Sequence, residues 1–343
     1  MEQALQSFIS TQHWIVIASL FLVSLLILAK AADWLIDSAV TLSEQSKIPK
    51  VVIGATIVSL GTTTPEVAIS VLAAARGQSS LALGNAVGSV ICNTGLILGL
   101  SCLLAPPKID HKILNRQNTI QVIALLFLVL ACFPWQSPGD IFTQGGQVSQ
   151  LLALVLLIGL AGYTWQSVRL ARNIDATIDE TEDHKEHTSN LVIVGKLIGA
   201  IILVVISARI LLPTVTETAV RWNVPESVIA ATLVAFGTSL PELVVTVIAA
   251  LKAHGELALG NVIGANILNV LFVVGAAGVV GQGGLTAGPH FFIILFPVML
   301  ILLVILSIGL HSNQEKLQRS YGIVLISIYV IYTVINYVVK SSS

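Results

Sequence analysis

Long apolar runs separated by short polar connectors make up most of the chain. A helix needs about 20 mainly apolar residues to cross the hydrocarbon core of a bilayer, and ten runs reach that length if a few internal Gly, Pro and acidic residues are tolerated. The predicted spans are 14–40, 49–76, 79–104, 118–135, 148–170, 191–219, 225–252, 255–281, 288–310 and 320–339. The pattern therefore predicts an all-α polytopic membrane protein with ten transmembrane helices.

Composition supports this class of protein. Hydrophobic residues make up 55% of the 343 positions and charged residues only 10%, whereas a soluble domain carries roughly a quarter charged residues. The 17 Lys and Arg and the 18 Asp and Glu leave a net charge of −1, so no basic surface is available for nucleic acid. We expect a lipid bilayer as the surroundings and no nucleic-acid partner; the oligomeric state stays open.

The basic residues of the connectors separate into two unequal groups when the spans are followed in order. Eleven fall on one side: Lys47, Lys50, Lys108, Lys112, Arg116, Arg169, Arg172, Lys185, Lys252, Lys316 and Arg319. Three fall on the other: Arg76, Arg221 and Lys340. Because cytoplasmic connectors are enriched in Lys and Arg, we expect a multi-pass protein of the cell (inner) membrane with both termini outside or in the periplasm.

An internal repeat relates two segments of the chain, which we call repeat one (54–100) and repeat two (230–276). They align without a gap at an offset of 176, and 18 of the 45 pairs from Thr56/Thr232 to Leu100/Ala276 are identical. The identities include the Gly, Pro, Glu and Asn residues of GTTTPE and GTSLPE and of the two GNxxG motifs. Apolar helices resemble each other easily, but matched Gly, Pro, Glu and Asn residues indicate a true repeat.

The repeats divide the chain into two five-helix halves, predicted at 1–170 and 191–343 and joined by a cytoplasmic acidic linker at 171–190. Repeat one occupies spans two and three, and repeat two occupies spans seven and eight. An odd displacement of five spans reverses the direction of each helix relative to its counterpart. Inverted repeats of this kind place a binding site near the bilayer midplane, which is typical of secondary transporters.

Two acidic residues, Glu66 and Glu242, lie deep in apolar spans at equivalent positions of the repeats. A carboxylate at the bilayer centre costs at least about 2.5 kcal/mol unless a partner offsets it. We therefore expect a cation to bind these carboxylates. The prolines of the same motifs remove a backbone donor and disturb the helix one turn earlier. Neighbouring hydroxyls, freed carbonyls, Asn93 and Asn269 complete an all-oxygen donor set, which suits calcium, magnesium or sodium; a dry, flexible cage of this type favours calcium.

At these residues the sequence resembles the calcium/cation antiporter superfamily, in particular prokaryotic sodium/calcium exchangers with two alpha-repeats that carry GTSLPE followed by GNxxGSN. The resemblance implies that Glu66 and Glu242, with the backbone oxygens of Thr62 and Thr238, hold Ca²⁺. It implies Na⁺ sites around the same centre, built from the following residues: the Ser59 and Ala235 carbonyls, Thr63, Ser239, Ser89, Asn93 and Asn269. No resident cofactor is expected, since Ca²⁺ and Na⁺ are the transported ligands.

Two positions depart from the family pattern. The family usually has a serine where this chain has Ala265, and often an aspartate where it has Asn269. Two glutamates balance one Ca²⁺ or two Na⁺, while a third Na⁺ would leave an uncompensated charge in a low dielectric. The sequence therefore leaves open whether two or three Na⁺ are exchanged for each Ca²⁺.

The predicted activity is antiport of Ca²⁺ for Na⁺ by alternating access, not an enzymatic reaction. A Ca²⁺/H⁺ (or other cation/H⁺) antiporter is the nearest alternative, because desolvated glutamates also bind protons. A cation channel with acidic residues at a constriction is a further alternative. An intramembrane enzyme would need a nucleophile with a base or a metal-binding histidine cluster, and no histidine lies in the core of either repeat.

Overall fold

Helices carry nearly all of the regular structure. The structure, a computed structural model, describes residues 2–174, 189–222, 237–312 and 314–341. The first half contains α1 (Glu2–Ser10), α2 (Trp14–Ser46), α3 (Lys50–Thr62), α4 (Thr64–Ala75), α5 (Ser79–Leu104), α6 (His111–Cys132) and α7 (Gln150–Ile174). The second half contains α8 (Asn190–Arg221), α9 (Leu240–Leu251), α10 (Gly255–Val280), α11 (Phe291–His311) and α12 (Arg319–Ser341).

The helices agree with a chain that crosses a membrane many times. Among the described residues, eight helices are long and apolar enough to span a bilayer, and the bent pair α3–α4 makes a ninth. The remaining predicted span, 225–252, is represented by the 12-residue α9, because residues 223–236 lie outside the described ranges. The all-α polytopic fold is confirmed, and the count of ten stays a prediction.

The repeat seen in the sequence is reproduced in the helix boundaries. Helices α4 and α9 begin and end at positions 176 apart, and so do α5 and α10. Both α5 and α10 contain a π-helical turn, at Asn93–Leu98 and Asn269–Val274, which again differ by 176. Over residues 64–100 and 240–276 the two repeats therefore have the same local backbone structure, including the π-helical turn. The half boundaries at 170 and 191 stay a prediction, since most of the linker, 175–188, is not described.

Helices α5 and α10 form the centre of the bundle. Within their most apolar windows, 72% of α5 and 83% of α10 is buried, against 11% of α12. Small residues let α10 approach α3 closely. A Cβ at Gly264 would overlap the backbone of Ala55, and a Cβ at Gly54 would lie 2.5 Å from the Leu257 carbonyl oxygen. The second repeat thus packs backbone to backbone against the helix that leads into the first GTTTPE motif.

Helices α2 and α8 pack along each other on the outside of this centre. Helix α2 is also joined to the end of α9 by an ion pair, because Lys252 Nζ lies 2.7 Å from Asp33 Oδ1 and also contacts Asp37. Lys30 bonds the other oxygen of Asp33 at 2.7 Å, so both acidic residues of this part of α2 have basic partners.

Short backbone pairings join connectors of the two halves at opposite ends of α6. Strand β1 (Gly146–Val148), after α6, pairs antiparallel with β2 (Leu285–Ala287) before α11. Before α6, Lys108 bridges to Lys316, with Ile109 N–H donating to the Glu315 carbonyl at 2.8 Å. Each pairing joins connectors that the charge distribution assigns to the same side of the membrane. The contacts are therefore compatible with the predicted topology.

One predicted boundary differs by seven residues. Span four is predicted to begin at 118, but α6 begins at His111. The Asp110 side chain caps the helix by accepting hydrogen bonds from Lys112 N–H at 3.1 Å and Ile113 N–H at 3.2 Å. The first turns of α6 are polar, so the apolar run begins later than the helix. The N-cap residue Asp110 is the feature of the sequence that indicates the true start.

Candidate ion-binding site

Glu66 and Glu242 lie in the first turns of α4 and α9. Helix α3 ends at Thr62, α4 begins at Thr64, and the two are bent by 46°. Pro65 and Pro241 occupy the first turn of the following helix, a position that proline tolerates because its missing N–H is not needed there. The break expected from GTTTPE is present between α3 and α4, whereas the residues that precede GTSLPE lie outside the described ranges. In both repeats the carboxylate lies at the N-terminus of a helix inside the protein.

Both carboxylates are buried without a basic partner. Each glutamate is only 1% exposed, and within the described part of the chain no Lys, Arg or His forms an ion pair with either. Two other acidic residues in the spans have basic partners. Asp33 pairs with Lys252 and Lys30, and Glu217 pairs with Arg221 at 2.8 Å. A buried charge is costly unless it is compensated. A bound cation would therefore stabilise Glu66 and Glu242 more than the acidic residues that already have basic partners.

Each repeat contributes a hydroxyl group that donates a hydrogen bond to the glutamate of the other repeat. Thr63 Oγ1 donates to Glu242 Oε1 at 3.3 Å, and Ser239 Oγ donates to Glu66 Oε1 at 3.5 Å. Thr63 and Ser239 are equivalent positions of the two repeats, so the contacts are reciprocal. The second oxygen of each carboxylate, Oε2, has no protein partner among the described residues. Each carboxylate thus accepts a hydrogen bond from the opposite repeat through one oxygen, and its other oxygen is available to a ligand.

A second symmetric pair of contacts supports the glutamate helices. Asn85 Nδ2 donates to Ser70 Oγ at 3.0 Å, and Asn261 Nδ2 donates to Thr246 Oγ1 at 3.0 Å. Asn85 also donates to the Glu66 carbonyl at 3.4 Å. These asparagines are those of the two GNxxG motifs, whose repetition is visible in the sequence without indicating their hydrogen-bond partners. They tie α5 to α4 and α10 to α9, one turn from the glutamates.

Asn93 and Asn269 start the two π-helical turns and are fully buried. Asn269 Nδ2 donates to the Ala265 carbonyl at 3.0 Å, which leaves its Oδ1 without a partner among the described residues. Neither amide atom of Asn93 nor the Ser89 hydroxyl has a described partner. π-Helical turns are rare and occur often at functional sites. Ser89, Asn93 and Asn269 therefore supply buried oxygens that accept no hydrogen bond from the described residues.

The other predicted ligands differ in burial and in the hydrogen bonds that they already make. Thr62 is fully buried, whereas Thr238 is half-buried and donates to Asn85 Oδ1 at 3.5 Å. The Ser59 carbonyl already accepts hydrogen bonds from Thr63 N–H at 2.9 Å and Thr62 Oγ1 at 3.3 Å, so an ion would compete for it. Ala235 lies outside the described residues.

The predicted donors of the site are all oxygen atoms. Carboxylates, hydroxyls and amides meet between α4, α5, α9 and α10, and the described residues contain no cluster of three or more His, Cys, Asp or Glu side chains that could hold a metal ion. Hard cations prefer such oxygen donors, and a thiolate or imidazole cluster would suit softer metals. The free cysteines Cys92, Cys102 and Cys132 are buried, and the Cys92 thiol lies near Ser239 and the two glutamates.

Removing one bridging hydroxyl should weaken ion binding without unfolding the protein. Thr63→Val and Ser239→Ala each delete a donor to a carboxylate, and a hydrogen bond to a charged group contributes about 1.5–3 kcal/mol. We expect an apparent calcium affinity lower by about tenfold or more in each variant, measured by ⁴⁵Ca²⁺ binding. Thr63→Ser should retain most of the affinity because it keeps the hydroxyl.

Thr64→Val is the matched control, since the Thr64 hydroxyl is exposed and donates to the Leu60 carbonyl at 2.8 Å. An affinity loss confined to one repeat, or an equal loss in the Thr64 variant, would contradict the reciprocal arrangement.

Taken together, the fold and the site define a polytopic membrane transporter of cations, built from two repeats around a buried pair of carboxylates. The sequence profile of the sodium/calcium exchanger protein family matches residues 16–169 and 192–338. This chain belongs to the sodium/calcium exchanger family.

Individual relatives and a solved structure agree with this assignment. An uncharacterized membrane protein of Methanocaldococcus jannaschii, MJ0091, is 32% identical over 320 residues, which cover 91% of this chain and 95% of the relative. The sodium/calcium exchanger MaX1 of Methanosarcina acetivorans is 31% identical over 342 residues, covering 92% and 97%. The structure of the sodium-calcium exchanger NCX_Mj, soaked with 10 mM Na⁺ and zero Ca²⁺, matches with a TM-score of 0.74 at 30% identity, covering 92% and 97%.

Proposed function

We propose that this protein is a secondary antiporter that exchanges Ca²⁺ for Na⁺ at one site between Glu66 and Glu242. The single observation that carries the proposal is the reciprocal contact of Thr63 with Glu242 and of Ser239 with Glu66. Family membership and the names of the relatives MaX1 and NCX_Mj support the choice of ions. One Ca²⁺ or two Na⁺ would neutralise the same two carboxylates, so the two ions are expected to compete.

The ligand assignments follow from the same site. Ca²⁺ would be held by the glutamate carboxylates with the backbone oxygens of Thr62 and Thr238. Na⁺ would use oxygens around this centre, contributed by Ser59, Thr63, Ser89, Asn93, Ala235, Ser239 and Asn269. The buried and unpartnered oxygens of Ser89, Asn93 and Asn269 support their inclusion. Ca²⁺ accepts six to eight oxygen ligands in a flexible geometry, which a cage of this composition can supply.

Alternating access would expose this site to each side in turn. Helices α2 and α8 lie outside the repeats, pack along each other and contact the core helices, so their sliding across the core is the proposed gating motion. The break in span two at Thr63 and the short helix α9 let backbone atoms contribute to the site at membrane depth. Such irregular backbone is tolerated where it is enclosed by protein or lines a cavity.

Transport in proteoliposomes tests the coupling ion. We expect ⁴⁵Ca²⁺ uptake into sodium-loaded vesicles placed in sodium-free buffer, and loss of uptake when an ionophore collapses the sodium gradient. Uptake driven by a pH gradient and indifferent to sodium would assign the alternative Ca²⁺/H⁺ antiport. Calcium flux without saturable counterflow would indicate a channel.

The proposed location is the inner membrane, with both termini outside or in the periplasm. The basic residues support it, since eleven lie in connectors of one side and three on the other, and cytoplasmic connectors are the positive ones. In cells that carry Thr11→Cys, a membrane-impermeant maleimide should label the new thiol from outside. Lys112→Cys should react only after permeabilisation. The reverse pattern would overturn the orientation, and the three native cysteines are buried and give a low background.

A further inference from the structure

Helices α2 and α8 are equivalent elements of the two halves of the chain. They begin at Trp14 and Asn190, which are 176 positions apart, and this is the offset that also relates the two repeats. Helices α4 and α9 correspond in the same way, and the residues that follow them are Arg76 and Lys252. The contacts between α2 and α9 can therefore be compared, position by position, with those between α8 and α4.

The two helix pairs differ in how closely they pack. Val245 and Ala249 of α9 belong to one apolar cluster with α2, and Ile248 packs against the same cluster. Among the described residues, α8 has no comparable contact with α4. Leu72, the position on α4 that corresponds to Ile248, is accordingly 55% exposed. The protein is therefore packed together at the end of α9 and more open at the equivalent end of α4.

An ion-pair cluster joins α2 to the end of α9. Lys252 Nζ lies 2.7 Å from Asp33 Oδ1 and also contacts Asp37, which lies one turn further along α2. Lys30 bonds the second oxygen of Asp33 at 2.7 Å. Asp33 and Asp37 belong to the helix that slides in the proposed gating motion, whereas Lys252 belongs to the core. The Lys252 contacts must therefore break whenever α2 moves along the core.

The corresponding positions of the other half cannot make the same cluster. The offset of 176 relates the following pairs: Asp33 with Arg209, Asp37 with Pro213, and Lys252 with Arg76. If α8 approached α4 as α2 approaches α9, Arg209 would face Arg76. Like charges repel, and the repulsion is stronger in the low dielectric of a protein than in water. The same two positions thus attract each other at one end of the protein and repel each other at the opposite end.

We propose that Asp33, Asp37 and Lys252 form a latch that holds one end of the protein closed, and that the opposite end has no such latch. The basic residues of the connectors assign the Lys252 end to the cytoplasm. The charges therefore favour the state that is closed to the cytoplasm and open to the outside. This preference affects exchange only if the protein alternates between the two states, so its consequence for transport rests on the proposed function.

The reactivity of a cysteine beneath the latch tests the proposal in the purified protein. Ala249 is 1% exposed and packs in the cluster between α9 and α2, three residues before Lys252. We expect Ala249→Cys to react slowly with a charged methanethiosulfonate reagent. A partly exposed ion pair shifts an equilibrium by up to about fivefold. Asp33→Asn should therefore raise the labelling rate about threefold, and Lys252→Gln, which loses both pairs, about tenfold. Lys252→Arg keeps the charge and should keep the slow rate.

Ala73→Cys, at the equivalent position of the other half, is the matched control. Ala73 is 6% exposed and lies three residues before Arg76. Its labelling should not accelerate in Lys252→Gln, whereas a general loosening of the fold would accelerate labelling at both positions. The native cysteines are buried and give a low background.

A further variant introduces an attractive pair at the open end. Arg209→Asp would face Arg76 when α8 approaches α4, so it should favour closure of that end. With Lys252 intact, we expect it to raise the labelling rate of Ala249→Cys, and Arg209→Gln should have a smaller effect in the same direction.

Three results would overturn the proposal: unchanged labelling of Ala249→Cys in Lys252→Gln, equal acceleration at Ala73→Cys, or unchanged labelling of Ala249→Cys in a folded Arg209→Asp variant. Normal exchange of Ca²⁺ for Na⁺ together with any of them would refute the latch alone. Latch-dependent labelling in a protein that fails to exchange Ca²⁺ for Na⁺ would refute the proposed function and leave the latch standing.

Discussion

Calcium transport should fall at least about 100-fold when Glu66 or Glu242 is replaced by glutamine. Removing one partner of a buried charge interaction costs about 3–5 kcal/mol, and each 1.4 kcal/mol corresponds to a factor of ten. Both glutamates are buried without a basic partner in the described chain, so the ion supplies the compensating charge. Glutamine keeps the size of the side chain and removes that charge.

The measurement is sodium-driven ⁴⁵Ca²⁺ uptake by the purified variants in proteoliposomes. Thermal unfolding with and without Ca²⁺ shows whether each variant is folded, because a ligand that binds the native state raises its stability. The wild type should gain stability with Ca²⁺, and the two variants should be folded but indifferent to it. The exposed Glu315→Gln serves as the control with normal transport. A variant at either glutamate that still transports calcium would contradict its place in the site.

Alanine at Gly264 should be strongly damaging although Gly264 is not one of the proposed ion ligands. A Cβ there would lie 2.7 Å from the Ala55 carbonyl carbon and closer still to its Cα and oxygen, so the backbones of α3 and α10 would have to separate. Overpacking of a closely packed interior costs about 1–3 kcal/mol. We expect a clearly lower melting temperature and weaker calcium binding, since the two helices carry parts of the same site.

Gly199→Ala on α8 is the matched control for that substitution. No described atom lies within 4 Å of a Cβ at Gly199, and alanine is preferred to glycine in a helix by about 1 kcal/mol. Its melting temperature should stay equal to that of the wild type or rise. Equal behaviour of the two variants would mean that the close approach of α3 to α10 does not hold the site together.

Much of the helical framework could be predicted from the sequence because lipid imposes a simple rule. A spanning helix must be long and apolar, so the runs at 79–104 and 255–281 predict α5 and α10 to within one residue. The break at Thr63 follows from Pro65, which cannot continue a regular helix from the preceding turn. Polar segments are less informative. The cap at Asp110 and the amphipathic helix Glu2–Ser10 were not predicted, since neither belongs to a long apolar run.

The residues of the candidate site are marked by the sequence, but the contacts between them are not. Two glutamates at equivalent positions identify the centre, because uncompensated carboxylates are rare in apolar spans. That Thr63 donates to Glu242, and Ser239 to Glu66, depends on how the repeats face each other, which local sequence does not specify. Likewise, repetition of the GNxxG motif marks Asn85 and Asn261, while only the structure supplies their Ser70 and Thr246 partners.

Equilibrium binding of ⁴⁵Ca²⁺ to the purified protein, with Na⁺ as competitor, tests the central claim that both ions use one site made by the two repeats. The account predicts one Ca²⁺ per chain, complete displacement by Na⁺, and no binding in the Glu66→Gln, Glu242→Gln double variant. Calcium that stays bound at saturating Na⁺, or that still binds the folded double variant, would contradict it.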